Sequence, residues 1–302
     1  MGAFLLFLTT FIWGTAFLAQ KFGADTLGPF AMTCFRNLLG GLFLLGCIGI
    51  RNRRDSKTRK LENSKSSLLA GFCCGVPLFA AMVAQQIGIG YTTPGISSFL
   101  TTNYMFFIPV IGFALFRRRP GWYIWPAVLL ALTGTYLICM TGETMQLGKG
   151  EGWTLLCALL FAVQMLTVER FAARSDLLVL SAVQLFTCAV LSLPFLVLDS
   201  EAAKVTAYFG VLGRGGIDAV KLVAPVVYCG VFSSGIAYTL QNYGQARTPA
   251  AVAGVILSME SVFGALSGYF VLGDHMTNGQ FLGCALVFLA ALSTQIAAIR
   301  KL

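Results

Sequence analysis

The sequence predicts an all-α polytopic membrane protein of ten transmembrane helices, arranged as two inverted five-helix repeats. Three observations carry this. Of 302 residues, 57% are apolar and 11% charged, with mean hydropathy +0.79; a soluble domain uses about 25% charged residues for its polar shell. Apolar runs long enough to cross a bilayer occur ten times along the chain. The Lys and Arg residues gather in alternate connections between those runs, as short cytoplasmic loops require. Secreted, disordered and cytosolic globular classes are excluded. So is a membrane β-barrel, since long β-branched, polar-alternating stretches are missing.

The ten spans fall at about 3–20, 29–50, 68–90, 95–116, 122–141, 152–168, 177–198, 222–243, 249–271 and 278–299. Turn formers mark the connections: Gly28-Pro29, Thr93-Pro94-Gly95, Arg119-Pro120-Gly121, Gly142 with 148–152, Thr248-Pro249 and Thr277-Asn278-Gly279. The first span lacks a basic leader and a small-residue cleavage site before Lys21, so it is read as a retained helix. In the connection 199–220, Val205, Tyr208, Phe209 and Leu212 recur at helical spacing. That suits either a short interfacial helix or an ordinary loop.

Net charge is +9, and seven Lys/Arg lie in residues 51–66, with Arg117-Arg118-Arg119 as a second cluster. Both clusters abut apolar runs, which favours cytoplasmic anchoring and lipid-headgroup contact over a nucleic-acid surface. Ten spans place both termini on one side. That side holds fifteen Lys/Arg against five on the other, with Arg36 left inside the second span. The richer side is expected to be the cytoplasm, and the membrane a bacterial plasma membrane. The nine cysteines all sit in apolar runs with no CxxC spacing, which argues against zinc, redox and disulfide roles.

The polar stretch 141–152 divides the chain into residues 1–141 and 142–302, with five spans in each. An odd number per half makes the second half enter the bilayer from the opposite face, the arrangement of many secondary transporters. A shift of 155 residues brings Gln86 onto Gln241 and Thr93-Pro94 onto Thr248-Pro249. In both halves Thr-Pro then opens the fourth span.

Several stretches together resemble the EamA family of the drug/metabolite transporter superfamily, with two tandem EamA units. They are Trp13-Gly14 in span 1, Pro29 and Arg36 in span 2, the segment 92–116, and the segment 257–288 with its Glu260 and Gly-Asp ending. Ser261 stands where the family often has Pro, Asp274 replaces the usual Glu, and 117–120 replace an expected acid. The resemblance implies a ten-helix bundle with spans 1, 3, 4, 6, 8 and 9 around a central cavity and spans 5 and 10 outside it. It also implies small metabolite or drug-like substrates, often exported.

Charges inside a bilayer cost at least about 2.5–3.5 kcal/mol near its centre, so each needs a reason. Glu260 lies about eleven residues into span 9, near the midplane at about 1.5 Å per residue. It is either a site for a substrate amine or a proton, or a structural hydrogen-bonding group. Arg36, in the outer half of span 2, is either a carboxylate binder or gate, or a structural charge. Neutral polar groups gather on the expected cavity helices: Gln85, Gln86, Asn103, Tyr104, Gln164, Tyr238, Gln241 and Asn242. Singly, each suits a helix–helix hydrogen bond; together they suit a wet cavity between apolar walls. Trp13, Phe99, Phe106 and Phe107 are candidate walls, or ordinary core aromatics.

Enzyme signals are missing. His275 is the only histidine, and neither GxSxG nor a Walker A motif occurs. No cofactor is expected, and ATP drive by this chain is unsupported. The expectation is a secondary carrier for a small molecule, drawing on a substrate, proton or ion gradient. The competing reading is a non-transporting membrane sensor or assembly subunit.

Overall fold

The computed structural model describes residues 1–54, 64–117, 120–139, 148–198, 201–267, 269–270 and 275–300. Most of the basic connection 51–66, Arg118, Arg119, residues 140–147 of the central linker, Gly268, Asp274 and Lys301 lie outside the described residues.

The described chain is helical. Its elements are α1 (Gly2–Leu27), α2 (Pro29–Arg54), α3 (Ser64–Tyr91), α4 (Pro94–Thr102), α5 (Tyr104–Phe116), α6 (Ile124–Cys139) and α7 (Lys149–Ala172). There follow α8 (Leu177–Leu198), α9 (Ala202–Arg214), α10 (Gly216–Val227), a π-helical segment (Tyr228–Ala237) and α11 (Tyr238–Gln245). The chain ends with α12 (Ala250–Leu257), α13 (Glu260–Ser267) and α14 (Asn278–Arg300). Among the described residues nine helical stretches are long and apolar enough to cross a membrane, and Ile124–Cys139 is a shorter apolar helix. This is a polytopic membrane protein, with the order of spans that the sequence predicts.

Three details differ from the sequence expectation. The first span is longer than 3–20, because α1 continues unbroken to Leu27 and ends at Gly28, whose φ of 89° favours glycine. The eighth span begins at Gly216 rather than about 222. The 199–220 connection is mostly helix α9, separated from α10 by Gly215 at φ 68°. The fourth and ninth spans are each broken in two. At the first break the Asn103 side chain donates to the carbonyls of Phe99 and Leu100 at 3.0 and 3.2 Å. At the second, Ser258 Oγ donates to the Val255 carbonyl at 2.7 Å and Ser261 Oγ to the Ser258 carbonyl at 2.8 Å. Side chains that bond carbonyls three or four residues back compete with the helical ladder and bend it.

Packing follows a cross-linked pattern. α1 lies against the π-segment, α11 and α13, and α7 lies against α3, α4 and α5; α2 packs on α8 and α6 on α14. Close approach needs small residues at these crossings. A Cβ on Gly14 would stand 2.5 Å from the Glu260 carbonyl oxygen and 2.7 Å from Gly264 N. One on Gly40 would stand 2.7 Å from the Gly230 carbonyl oxygen and 3.0 Å from Gly235 N. The first contact brings α13 onto α1, and the second brings α2 onto the π-segment.

Charged side chains at the helix ends complete the frame. Glu201 accepts from the backbone N–H groups of Phe30 and Ala31 at 3.2 and 2.7 Å. Glu169 accepts from Ala250 N at 3.3 Å. Both carboxylates thus sit at helix N-termini, where the dipole and the free N–H groups favour a negative charge. Lys21 does the converse, donating to the carbonyls of Ile89 and Gly90 at the end of α3 at 2.9 and 3.2 Å.

Candidate functional site

A cavity lies at the centre of the bundle. Its lining comes from α1 (Trp13, Phe17, Gln20), α2 (Arg36), α3 (Gln85), the broken fourth span (Thr101, Tyr104) and α7 (Phe161, Met165). The π-segment adds Ser233, α11 adds Tyr238 and Gln241, and α13 adds Glu260. Spans 1, 3, 4, 6, 8 and 9 therefore face it, and span 2 joins them through Arg36. α6 and α14 contribute nothing to it and pack on each other.

Helical spacing explains the lining. Trp13, Phe17 and Gln20 stand at i, i+4 and i+7 on one face of α1; Phe161 and Met165 are i, i+4 on α7; Tyr238 and Gln241 are i, i+3 on α11. The Trp13 ring packs on Tyr238 with centroids 4.9 Å apart, and its Nε1 donates to the Ser233 carbonyl at 3.1 Å. The neighbouring Gly14 lets α13 come close, so Trp13 and Glu260 can line one space.

Two ionisable groups line the cavity. Glu260 is 4% exposed and is the first residue of α13. The Tyr104 hydroxyl donates to its Oε1 at 3.2 Å. Tyr104 is itself the first residue of α5. The helices after the two breaks thus start with the two partners of one hydrogen bond. The starts of the paired pieces lie 156 positions apart (94 to 250, 104 to 260), one more than the shift read from sequence. By that offset Gln85 corresponds to Gln241, and both line the cavity.

Arg36 is 3% exposed. Its Nε donates to Ser234 Oγ at 3.0 Å, Nη1 to Gln20 Oε1 at 3.1 Å and Nη2 to Ser233 Oγ at 2.9 Å. Two consecutive serines reach one guanidinium because they lie in the π-segment. A π-helix turns less per residue than an α-helix, so neighbouring side chains stay closer to one face. Pro225, just before this segment, lacks the N–H of an ordinary helical rung.

The predicted polar residues divide. Trp13, Arg36, Gln85, Tyr104, Tyr238, Gln241 and Glu260 line the cavity. Four do not. Gln86 donates to the Gln20 carbonyl at 2.6 Å, and Asn242 donates to Ser181 Oγ at 2.8 Å, tying α11 to α8. Asn103 is spent on the break of the fourth span. Gln164 stands behind Gln241, which donates to it at 3.4 Å. Of the aromatic candidates only Trp13 faces the cavity. Phe106 is 40% exposed and packs edge-on to Trp125, and Phe99 packs on Tyr136. Sequence reasoning missed Phe17, Gln20, Phe161, Met165, Thr101 and Ser233; the i+4 and i+7 positions from Trp13 would have found the first two.

The lining offers a cation, a carboxyl group with a phenol beside it, and three amide side chains among apolar groups. Gln241 Oε1 is buried with no hydrogen-bond partner among the described residues, so an acceptor there is free to receive a donor from a bound molecule. Such a mixture of apolar surface and a few directional polar groups suits a small polar organic molecule. Among the described residues no cluster of potential metal ligands occurs.

Comparison with known proteins agrees with this architecture. The sequence matches the profile of the EamA-like transporter family twice, over residues 1–140 and 148–294. An uncharacterized transporter of Archaeoglobus fulgidus is 26% identical over 95% of this chain and 83% of its own length. YwfM, an uncharacterized transporter of Bacillus subtilis, is 27% identical over 94% and 90%. The threonine/homoserine exporter RhtA of Escherichia coli is 24% identical over 98% and 91%. One solved crystal structure superposes with a TM-score of 0.72 over 99% of this chain and 98% of that one, at 18% identity; the likeness is one of fold.

Proposed function

Because the chain belongs to the EamA-like transporter family, we propose that it is a secondary carrier that exports small polar metabolites across a bacterial plasma membrane. Alternating access would carry the substrate through the central cavity. The two tandem units would act as inverted repeats that rock about it, with residues 1–141 and 142–302 superposing after rotation about an axis in the membrane plane. Both termini and residues 51–66 would face the cytoplasm. Since RhtA is named an exporter of threonine and homoserine, small amino acids are the first substrates to try.

The observation that carries this reading is Glu260. A carboxyl group buried inside the membrane is expensive, and among the described residues this one has a single side-chain donor, Tyr104, in a cavity bounded by seven spans. A structural acid would be expected to have its oxygens fully engaged. An acid with spare acceptor capacity is suited to exchange partners, either a substrate ammonium or a proton.

Counterflow in proteoliposomes tests it. The wild-type chain is expected to exchange at least one small amino acid. Glu260→Gln is expected to lose gradient-driven flux while keeping its fold and part of its exchange. A stably folded Glu260→Gln protein with unchanged flux and pH profile would remove this residue from the mechanism. A wild-type chain that exchanges nothing would favour a sensor.

A further inference from the structure

Arg36 is a buried charge whose needs are only half met. Its three hydrogen bonds go to neutral oxygens, and among the described residues no carboxylate lies within 4.0 Å of it. Neutral acceptors satisfy donors but leave the charge uncompensated, and removing a cation from water without a counter-charge is costly. A guanidinium has five N–H donors. Three are committed, which leaves one on Nη1 and one on Nη2. The side chain also lines the central cavity, as do two of its holders, Gln20 and Ser233.

We propose that Arg36 is the receptor for a carboxylate on the transported molecule. One free proton on each terminal nitrogen suits the two oxygens of a carboxylate, which arginine binds as a fork. The bound anion would supply the missing counter-charge. Ser233, Ser234 and Gln20 act as positioning residues that hold the plane of the guanidinium fixed before the ligand arrives. Glu260 lines the same cavity without pairing with Arg36, so its carboxyl group stays open to an amine on the same molecule. This assignment rests on the transporter reading for its physiological meaning, but binding tests it separately.

The experiment uses the purified full chain in detergent and a panel of common L-amino acids, each beside its α-carboxamide. The amide keeps the shape and removes the negative charge. At least one acid is expected to raise the thermal unfolding midpoint while its amide does not. Arg36→Gln is expected to abolish that preference, and Arg36→Lys, which keeps charge but loses the fork, to weaken binding by roughly tenfold or more. If Arg36→Gln does not fold, Arg36→Lys alone decides. A purely structural arginine would change the midpoint without ligand and leave the acid–amide preference untouched. Acids and amides that behave alike across the panel overturn the proposal, as does a preference that survives the substitutions. Counterflow separates the two readings. Exchange of amides but not acids keeps the carrier and removes the Arg36 role; acid binding without exchange keeps the Arg36 role and removes the carrier.

Discussion

Arg36 and Glu260 are two buried ionisable residues on one cavity, and they are held in opposite ways. Arg36 is fixed by three side chains from α1 and the π-segment. Among the described residues Glu260 receives one side-chain hydrogen bond, from the other broken span. The first is oriented and lacks a counter-charge; the second has a single side-chain donor among the described residues. A rigid cation suits recognition, because its geometry is set before the ligand comes. A loosely held acid suits a changing partner. The difference also lies in the helices: the cation leans on a widened helix, and the acid opens the second piece of an interrupted one.

The contrast should fail most severely where backbone contacts hold the two ends in register. Gly14→Ala would put a methyl group 2.5 Å from the Glu260 carbonyl oxygen. A loss of about 1–3 kcal/mol or more is expected from overpacking, with collapse of flux. Gly46 is the matched control, since a Cβ there meets nothing within 4 Å; its Ala variant should unfold at or above the wild-type temperature. Thermal unfolding of the two variants side by side checks this.

Next in size is Tyr104→Phe. It removes the one side-chain donor to Glu260, at a cost of about 1–3 kcal/mol for a buried acceptor left unpaired. Gradient-driven flux should fall severalfold. Ser234→Ala removes one of three acceptors from Arg36, which keeps its bonds to Gln20 and Ser233, and flux should fall less. If Ser234→Ala proves the more damaging of the two in flux assays, the contrast between a braced cation and a loosely held acid is wrong.

The smallest effect is expected away from the cavity. Arg51 and Asp176 form an ion pair at 2.8 Å, and Asp176 also accepts from the backbone N–H groups of Leu178 and Val179 at the start of α8. Burial alone would raise the Asp176 carboxyl, but the Arg51 contact and the two N–H groups hold it below the usual aspartate value. A lowered folded value stabilises above the ordinary pKa and loses that contribution as pH falls through the folded one. Asp176→Asn should therefore cost at most about 1 kcal/mol near neutrality, leave flux unchanged, and lose its difference from wild type in acid. Unfolding midpoints measured across that range would show the two curves converge.

The hydropathy of the chain settled the spans, because crossing a bilayer imposes a length and an apolar composition that can be counted. It also exposed Glu260 and Arg36, since an ion in an apolar run stands out whatever it touches. Neutral polar residues carry no such mark. Gln241 and Asn242 are adjacent and chemically alike, yet one lines the cavity and the other ties α11 to Ser181. Only the rotation of each helix decides between them. The π-segment and the two broken spans alter that rotation, and they arise from side-chain hydrogen bonds and close helix contacts that hydropathy does not register. The sequence by itself determined which segments are apolar and long enough to span and which charges they bury. The tertiary structure alone decided which faces meet at the centre, because helix azimuth is set by packing against neighbours far away in the chain.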